Sequence, residues 1–312
     1  MCPVRSRIRF EPGALRRGTD GRRARLGLAT PLSGASAVAV AHTPIVYPAE
    51  VRRVMRGGTP HLDLTTMARF GGPSLLRDRF DRRMTEITGS TQLVGIVGWP
   101  VAHSLSPRMH NAAFAALGLD WAYVALPTPP ERLEEAVRGL AALGFAGANV
   151  TVPHKLAVTA FCETDEPSVN TIVVRNGHVD GFTTDAAGLE GLSSEHPVVL
   201  GDGGTAAAFL RALPHARQFA RRGTWPPDVR GADLVVNATS EREDVLVEIG
   251  AHQTLVDLPY PETATATAAR RAGARVVTGL EVLVAQGVAS FELWTGTEAP
   301  IGAMRDAVGL SA

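Results

Sequence analysis

Lys155 is the residue whose type most strongly suggests chemistry, because it is the only lysine in the chain. The other basic residues, among 31 lysines and arginines, are all arginine. Arginine stays protonated at any working pH and presents a broad fork, whereas lysine is a compact ammonium that exchanges a proton. Position 155 is therefore a candidate for proton transfer. The alternative is chance retention of a single lysine.

A glycine-rich turn supplies a second candidate site. The short apolar run Val198–Leu200 leads directly into the Gly-Asp-Gly-Gly turn at Gly201–Gly204, and a pattern of small helical residues follows. This order is typical of a dinucleotide-binding fold, in which the first helix amides face the pyrophosphate. Arg221 and Arg222 follow about 20 residues later, where an NAD site carries an acidic residue, so a 2′-phosphate and hence NADP is favoured. The alternative is a solvated arginine pair at a strand end.

The elements that must position these residues alternate between strand and helix from residue 91 onward. Apolar runs predict strands at Leu93–Val97, Trp121–Leu126, Ala148–Val152, Val198–Leu200, Gln218–Ala220, Leu234–Val236, Leu255–Leu258 and Val276–Val277. Helical patterns are predicted at Ser106–Gly118, Leu133–Gly144, Thr205–Leu213, Gly287–Gly296 and Pro300–Val308. A further helix is predicted to follow Lys155 and to end at Phe161. Such repeats predict an α/β fold with parallel sheets covered on both faces, and with ligands at the strand ends.

Length and composition limit the class of protein. At roughly 150 residues per domain, 312 residues favour two domains. With 45% hydrophobic and 20% charged residues, global disorder is excluded. No apolar run approaches the roughly 18 residues of a membrane helix, so no membrane partner is expected. The two cysteines, Cys2 and Cys162, cannot form a disulfide framework, which fits a reducing, cytoplasmic location.

The formal net charge of zero is a cancellation between two parts of the chain. Residues 1–90 hold 16 arginines against seven acidic residues, and the remaining residues hold 15 basic against 24 acidic ones. The first 90 residues show no long helical or strand period, so they form an unassigned Arg-rich extension and a candidate for disorder. Nucleic acid is not an expected partner, because the extension lacks interleaved aromatic residues and any recognised module. An export signal is likewise not favoured.

Several short motifs occur together in residues 93–312. They are Ser104-Leu105-Ser106-Pro107, Asn149–Lys155, Val169–Thr171, Thr184-Asp185, Gly201–Gly204, Asn237–Ser240, Asp257–Tyr260, and Gln286-Gly287 with Trp294–Gly296. In this order they resemble the shikimate dehydrogenase family, and the first two are the most specific. The resemblance implies an NADP-dependent oxidoreductase that interconverts 3-dehydroshikimate and shikimate, a step of chorismate and aromatic amino acid biosynthesis.

The resemblance also implies roles for individual residues. Lys155 would deliver a proton to the developing alkoxide and Asp185 would orient its ammonium, since a positive group near that oxygen lowers the barrier to hydride transfer. The residues that would bind substrate are Ser104, Ser106, Asn149, Thr151, Asn170, Tyr260 and Gln286. Those that would bind NADPH are Gly201, Gly203, Gly204, Thr205, Arg221, Arg222, Thr239 and Gly279. No metal is expected, because His103 and His154 lack further ligands at suitable spacing.

The expected architecture has two domains with the active site in the cleft between them. Residues 91–187 and 280–312 would form a shikimate-binding catalytic domain, and residues 188–279 a Rossmann-like NADP-binding domain. Small molecules are the only expected partners, and the chain would be a monomer or a homodimer.

Some features depart from the family pattern. The segments before Val169, after Gly188 and after Arg222 are shorter than the family's usual ones, and Asp202 would repel a pyrophosphate unless it points to solvent. The alternatives are therefore a quinate/shikimate dehydrogenase-like enzyme and a catalytically impaired relative that only binds ligand.

Overall fold

Two five-stranded sheets organise the computed structural model, which describes residues 87–192 and 194–310. The first sheet has the order β2-β1-β3-β4-β5 and consists of β1 (Gln92–Gly98), β2 (Trp121–Pro127), β3 (Gly147–Val150), β4 (Thr171–Arg175) and β5 (His178–Phe182). The described residues belong to one compact unit. The predictions for Cys2 and for nearly all of the Arg-rich extension lie outside the described residues.

The first sheet is mixed rather than parallel throughout. β1 pairs in parallel with β2 and β3, with Gly95 opposite Val124 on one side and Ala148 on the other. β4 and β5 instead form an antiparallel hairpin, so the expectation of a parallel sheet is wrong for these two strands. Asn176 and Gly177 form the turn with φ values of 53° and 81°. Asn-Gly is a strong signal for a two-residue hairpin turn, because both of its positions need positive φ.

Helices cover both faces of the first sheet. They are α1 (Ser106–Leu117), α2 (Leu133–Ala142), α5 (Gly279–Thr295) and α6 (Ile301–Ala307). On one face, Phe114 of α1 and Phe291 of α5 are fully buried against β1. On the other, α2 contributes Leu133, Val137 and Leu140, which share one helical face by their spacing.

The predicted helix up to Phe161 is shorter than expected. Only a 3₁₀ segment, Ala157–Phe161, forms there. Soon after it, the Glu163 amide donates to Val179 O and the Glu163 carbonyl accepts from Gly181 N, so the chain extends along β5.

The second sheet is parallel throughout and has the order β10-β9-β8-β6-β7. Its strands are β6 (Pro197–Leu200), β7 (Arg217–Phe219), β8 (Leu234–Asn237), β9 (Thr254–Asp257) and β10 (Arg275–Thr278), with helices α3 (Gly204–Ala212) and α4 (Ala264–Arg271). β7 lies on one side of β6 and β8 on the other, so the strand order reverses at the end of β6. A dinucleotide binds at such a switch point.

Two crossovers of the second sheet have no helix. Residues 220–233, between β7 and β8, and residues 238–253, between β8 and β9, are irregular. They still cover the sheet, because Val229, Ala232 and Ile249 are buried in the same core cluster as the strands. The short segment after Arg222 therefore lacks the usual helix but leaves this face covered.

Helix α5 packs against both sheets. It begins directly after β10 with a capping box, in which the Thr278 side chain accepts from the Glu281 amide and the Glu281 carboxylate accepts from the Thr278 amide. Val282 packs in the core of the second sheet, whereas Trp294 packs in that of the first. No helix in the described part of the chain is both long and apolar enough to cross a membrane.

Candidate active site

A cavity of about 170 Å³ lies where elements of the two sheets meet. All of the residues predicted for catalysis and substrate binding line it, together with two of those predicted for the cofactor. They are Ser104, Ser106, Asn149, Thr151, Lys155, Asn170, Asp185, Thr205, Tyr260, Gly279 and Gln286. Residues far apart in sequence are thus brought together around one space.

An ion pair between Lys155 and Asp185 lies at the cavity wall. Lys155 Nζ donates to Asp185 Oδ1 at 2.8 Å and to Oδ2 at 2.7 Å, and to Thr205 Oγ1 at 2.9 Å. The two paired side chains are only 12% and 4% exposed. All three ammonium hydrogens therefore have acceptors, two of them on one buried carboxylate.

Backbone bonds fix the loop that carries Lys155. The Val169 amide donates to Lys155 O at 2.8 Å, and the His154 amide donates to Thr151 O at 2.9 Å. The buried His154 ring also lies 2.8 Å from Thr128 O through Nε2. The short segment before Val169 thus returns to the Lys155 backbone, so its length does not detach the lysine from the sheet.

Asn170 connects the ion pair to the rest of the cavity. It is buried, and its Nδ2 lies 2.8 Å from Asp185 Oδ1, 3.0 Å from Thr184 Oγ1 and 3.1 Å from Gln286 Oε1. Its Oδ1 accepts from the Thr184 amide at 2.7 Å. The amide is thereby held in one orientation with its donor group towards Asp185.

Asn149 lines the cavity, but its amide is engaged within the protein. Oδ1 accepts from Tyr123 Oη at 2.8 Å, and Nδ2 donates to Ser290 Oγ at 2.9 Å and to Thr171 Oγ1 at 3.2 Å. Burial raises the pKa of Tyr123 well above its ordinary value, so the phenol is a neutral donor. The predicted substrate contact of Asn149 stays a prediction, and these bonds indicate that it also supports the cavity wall.

Tyr123 and Ser290 are polar residues that the sequence analysis did not identify, and Thr171 was included there only as part of a motif, with no role assigned to it. Thr171 and Ser290 are buried, their hydroxyl oxygens are 3.0 Å apart, and Thr171 Oγ1 donates to Asn170 Oδ1 at 3.1 Å. Tyr123 lies in a predicted strand and Ser290 in a predicted helix. Nothing local in the sequence separates such residues from ordinary core positions.

Hydroxyl groups of Ser104, Ser106 and Tyr260 form another part of the cavity wall. The Ser106 amide donates to Ser104 Oγ at 3.2 Å. Burial raises the pKa of Tyr260, and hydrogen bonds with the Leu105 backbone and the Ser104 side chain oppose that rise. Tyr260 follows the second sheet, whereas both serines belong to the first. No arginine is among the described residues that line the cavity, so a substrate carboxylate on this side would meet neutral donors.

The glycine turn after β6 allows close approach of backbone. Gly201 has φ of 121°, and a Cβ there would lie 3.0 Å from Ala238 O. A Cβ at Gly204 would lie 2.5 Å from Lys155 Cβ, and one at Gly279 would lie 2.3 Å from Leu258 O. The turn therefore lies directly against the loop that carries Lys155, and side chains are excluded at these points.

The same turn fits a dinucleotide phosphate. Gly203 precedes α3, has open space around its Cα and provides no side-chain cap, so the first amides of α3 are free to face an anion. Asp202 is exposed, which removes its carboxylate from the crowded side of the turn. The predicted cofactor residues Gly201, Gly203 and Gly204 thus have the backbone environment that the prediction requires.

Arg221, Arg222 and Thr239 lie outside the cavity lining, beyond the ends of β7 and β8. Arg221 Nη2 is 3.1 Å from Glu241 Oε2. Arg222 is exposed and forms no ion pair with any described residue. Thr239 Oγ1 donates to Asn237 Oδ1 at 2.7 Å. Within residues 87–192 and 194–310, no group of three His, Cys, Asp or Glu side chains is placed to hold a metal ion.

Comparison with known proteins identifies related sequences over most of the described region. Residues 96–176 match the family profile described as shikimate dehydrogenase substrate binding domain, and residues 279–308 match the shikimate 5′-dehydrogenase C-terminal domain. A shikimate dehydrogenase (NADP(+)) from Anaeromyxobacter sp. (strain Fw109-5) is 42% identical, and the match covers 71% of this chain and 97% of the relative. The protein of the same name from Methanopyrus kandleri is 39% identical, and the match covers 71% of this chain and 96% of that protein.

A solved structure agrees with these sequences. Shikimate 5-dehydrogenase from Thermus thermophilus, in complex with NADP(H) and shikimate, superposes with a TM-score of 0.63 at 32% identity. The match covers 69% of this chain and 98% of that one.

Proposed function

Because the chain belongs to the shikimate dehydrogenase family, we propose that it interconverts 3-dehydroshikimate and shikimate with NADP as its cofactor. The resemblance predicted from the motifs, the two-domain α/β fold with a Rossmann-like part, the oxidoreductase class and the cofactor are confirmed. The observation that carries the assignment of individual residues is the cavity lined by Lys155, Asp185 and neutral polar side chains, with the glycine turn packed against the loop that carries Lys155.

Lys155 is the proton donor in this proposal. NADPH, when bound, supplies the hydride that converts the ketone to an alkoxide. Asp185 is anionic and accepts two bonds from the ammonium, whereas Thr205 accepts only one through a neutral hydroxyl. The Thr205 bond is therefore the one that a substrate oxygen replaces most readily. Lys155 then donates its proton to that oxygen in the reduction and takes it back in the reverse reaction.

The remaining polar residues recognise the substrate. Ser104, Ser106 and Tyr260 would donate to its carboxylate, and Thr151, Asn170 and Gln286 would bind its ring hydroxyls. A cavity of this kind rejects an analogue that lacks a hydroxyl, because buried donors are left without partners. Asn149 would contribute mainly by holding the wall, through its bonds to Tyr123 and Ser290.

The cofactor would extend along the ends of the second sheet. Gly201, Gly203, Gly204 and Thr205 would face the pyrophosphate at the start of α3. Thr239 and Gly279 would border the same edge. Arg221 and Arg222 would bind the 2′-phosphate, for which a guanidinium has suitable donors.

The domain division follows the two sheets. Residues 91–187 and 280–312 would form the catalytic domain, and residues 188–279 the NADP-binding domain. This division is supported by the separate core clusters of the two sheets. A monomeric or homodimeric state and a cytoplasmic location remain predictions, as does the absence of nucleic-acid and membrane partners. Light scattering of the purified chain would determine its oligomeric state.

Turnover of the purified full chain tests the proposal. We expect NADPH to be consumed on addition of 3-dehydroshikimate, and expect Lys155→Ala to lower the rate by at least about a hundredfold while NADPH still binds. Arg138→Ala on α2 is the matched control, because it also removes one positive charge but from a largely exposed side chain. A folded chain that turns over with neither nicotinamide cofactor would refute the proposal. Oxidation of quinate, measured beside that of shikimate, distinguishes the quinate alternative.

A further inference from the structure

We infer that Glu241 weakens the preference of this site for NADP over NAD by holding Arg221 and by placing a negative charge beside the 2′-phosphate position. The inference rests on the proposed function and concerns the selectivity of its cofactor site. The residues that carry it are Arg221, Trp225 and Glu241, with the backbone that follows Glu241.

Arg221 is held on two sides. Its Nη2 donates to Glu241 Oε2 at 3.1 Å, and its guanidinium carbon lies 5.7 Å from the centre of the Trp225 ring. The arginine side chain is still 60% exposed, whereas that of Glu241 is 24% exposed. The guanidinium is thus accessible to a ligand but already has an anionic partner.

The Glu241 carboxylate is fixed by backbone amides. Its Oε1 accepts from the amide of Arg242 at 3.0 Å, of Glu243 at 3.1 Å and of Asp244 at 3.4 Å. These bonds, with that of Glu243 the strongest, lower the pKa of Glu241, so the side chain is ionised at neutral pH. The carboxylate therefore occupies a position that binds anions, and it is not free to rotate away at no cost.

The topology places this ion pair over the predicted adenosine end of the cofactor site. β6 lies between β7 and β8, so the ends of β7 and β8 flank the start of the glycine turn. Arg221 lies two residues beyond β7 and Glu241 four residues beyond β8, so the bond between them joins the segments that follow the two neighbours of β6. A dinucleotide in a fold of this type lies along this edge.

The charges determine the direction of the effect. A 2′-phosphate carries negative charge and must either displace Glu241 from Arg221 or lie close to it. NAD has only a hydroxyl at that position, so its binding requires neither displacement of Glu241 nor a close approach of two negative charges. Removing the Glu241 charge should therefore improve NADP binding selectively. We expect an effect of about fivefold, because the pair is partly exposed and exposed ion pairs are weak.

Binding measurements on the full chain test this inference without relying on turnover. Dissociation constants of NADP+ and NAD+ would be measured by calorimetry for the wild type and Glu241→Gln, and 2′,5′-ADP would be compared with 5′-ADP. We expect Glu241→Gln to bind NADP+ and 2′,5′-ADP about fivefold more tightly, with NAD+ and 5′-ADP within about twofold of the wild type. Glu243→Gln is the matched control, since Glu243 lies in the same loop, is exposed and forms no ion pair with a described residue.

A second substitution separates the proposed mechanism from a general change of charge. In an Arg221→Gln background, Glu241→Gln should lose the part of its effect that comes from releasing Arg221 and keep only the part that comes from repulsion of the 2′-phosphate, so the gain in NADP+ affinity should be smaller than in the wild type. An unchanged ratio of NADP+ to NAD+ affinity in Glu241→Gln overturns the inference, as does an equal gain in Glu243→Gln. Failure of the wild type to bind either nucleotide would refute the proposed function itself, and the inference with it.

Discussion

We expect His110, which lines the cavity but has no assigned role in the reaction, to make the stability of the fold depend on pH. Its ring is fully buried, stacks on Tyr123 with centroids 4.6 Å apart, and lies 5.4 Å from the Trp294 ring. Neither ring nitrogen has a hydrogen-bond partner among the described residues. Burial lowers the pKa of His110 to about 3, because a charged imidazole would lose its hydration without gaining a partner.

The size of the effect follows from linkage. In the unfolded chain the imidazole has a pKa of about 6.5, so it takes up a proton below that pH while the folded protein does not. Stability is therefore fully present above pH 6.5 and decreases as pH falls from 6.5 to about 3. For one histidine with these values, the loss between pH 8 and pH 5 is about 2 kcal/mol.

Urea unfolding at pH 8 and pH 5 measures this loss. The wild type should lose about 2 kcal/mol more than His110→Phe, which keeps an aromatic ring but cannot titrate. His110→Leu provides a second variant if the larger ring does not fit, and His215→Ala, at an exposed histidine, should behave as the wild type. Equal pH dependence in the wild type and both His110 variants would show that the buried ring does not control acid stability.

Three further substitutions have expected outcomes. In Asp185→Asn, the new amide group must point a hydrogen towards Lys155 or Asn170, so turnover should fall at least about a hundredfold with NADPH affinity unchanged. Asp306→Asn, at an exposed position, is the control. A rate of Asp185→Asn within about threefold of the wild type would contradict the assigned role. Tyr123→Phe leaves Asn149 Oδ1 without its donor, so the free energy of unfolding should decrease by about 1–3 kcal/mol, and an unchanged urea midpoint would argue against that bond. Burial opposes ionisation of Asp233, but the Ser194 hydroxyl and two backbone amides lower its pKa to about 2; Asp233→Asn should therefore cost about 1–2 kcal/mol at pH 7, after allowance for solvent screening, and the difference from the wild type should shrink below pH 4 and disappear near pH 2.

Local patterns in the sequence predicted most elements of the second sheet. Strands at Val198–Leu200, Leu234–Val236 and Leu255–Leu258 lie within one residue of their observed bounds. Short continuous apolar runs bounded by turn residues are sufficient for such strands, because both faces of a parallel sheet are buried. The Asn176-Gly177 hairpin was missed although its signal is local. The sequence analysis predicted no strand on either side of this turn, where β4 and β5 lie.

The polar contacts of the site could be predicted only in part. Lys155 was identified from composition alone, and the resemblance added its partner Asp185. Its third acceptor, Thr205, lies 50 positions away, and the bond from Asn149 to Ser290 spans 141 positions. Contacts of this kind depend on how the two sheets pack against each other. Spacing along the chain carries no information about that packing.

The irregular crossovers of the second sheet show that the sheet can be covered without a helix in every crossover. In this chain a few buried side chains, among them Val229, Ala232 and Ile249, cover the sheet where helices are absent. The phosphate turn, α3 and the strand ends that form the cofactor site are all present beside them. We therefore expect that the parts of these crossovers between Arg222 and Val229, and beyond Glu241, can be shortened or replaced without altering the cofactor edge, provided that the apolar contacts are kept.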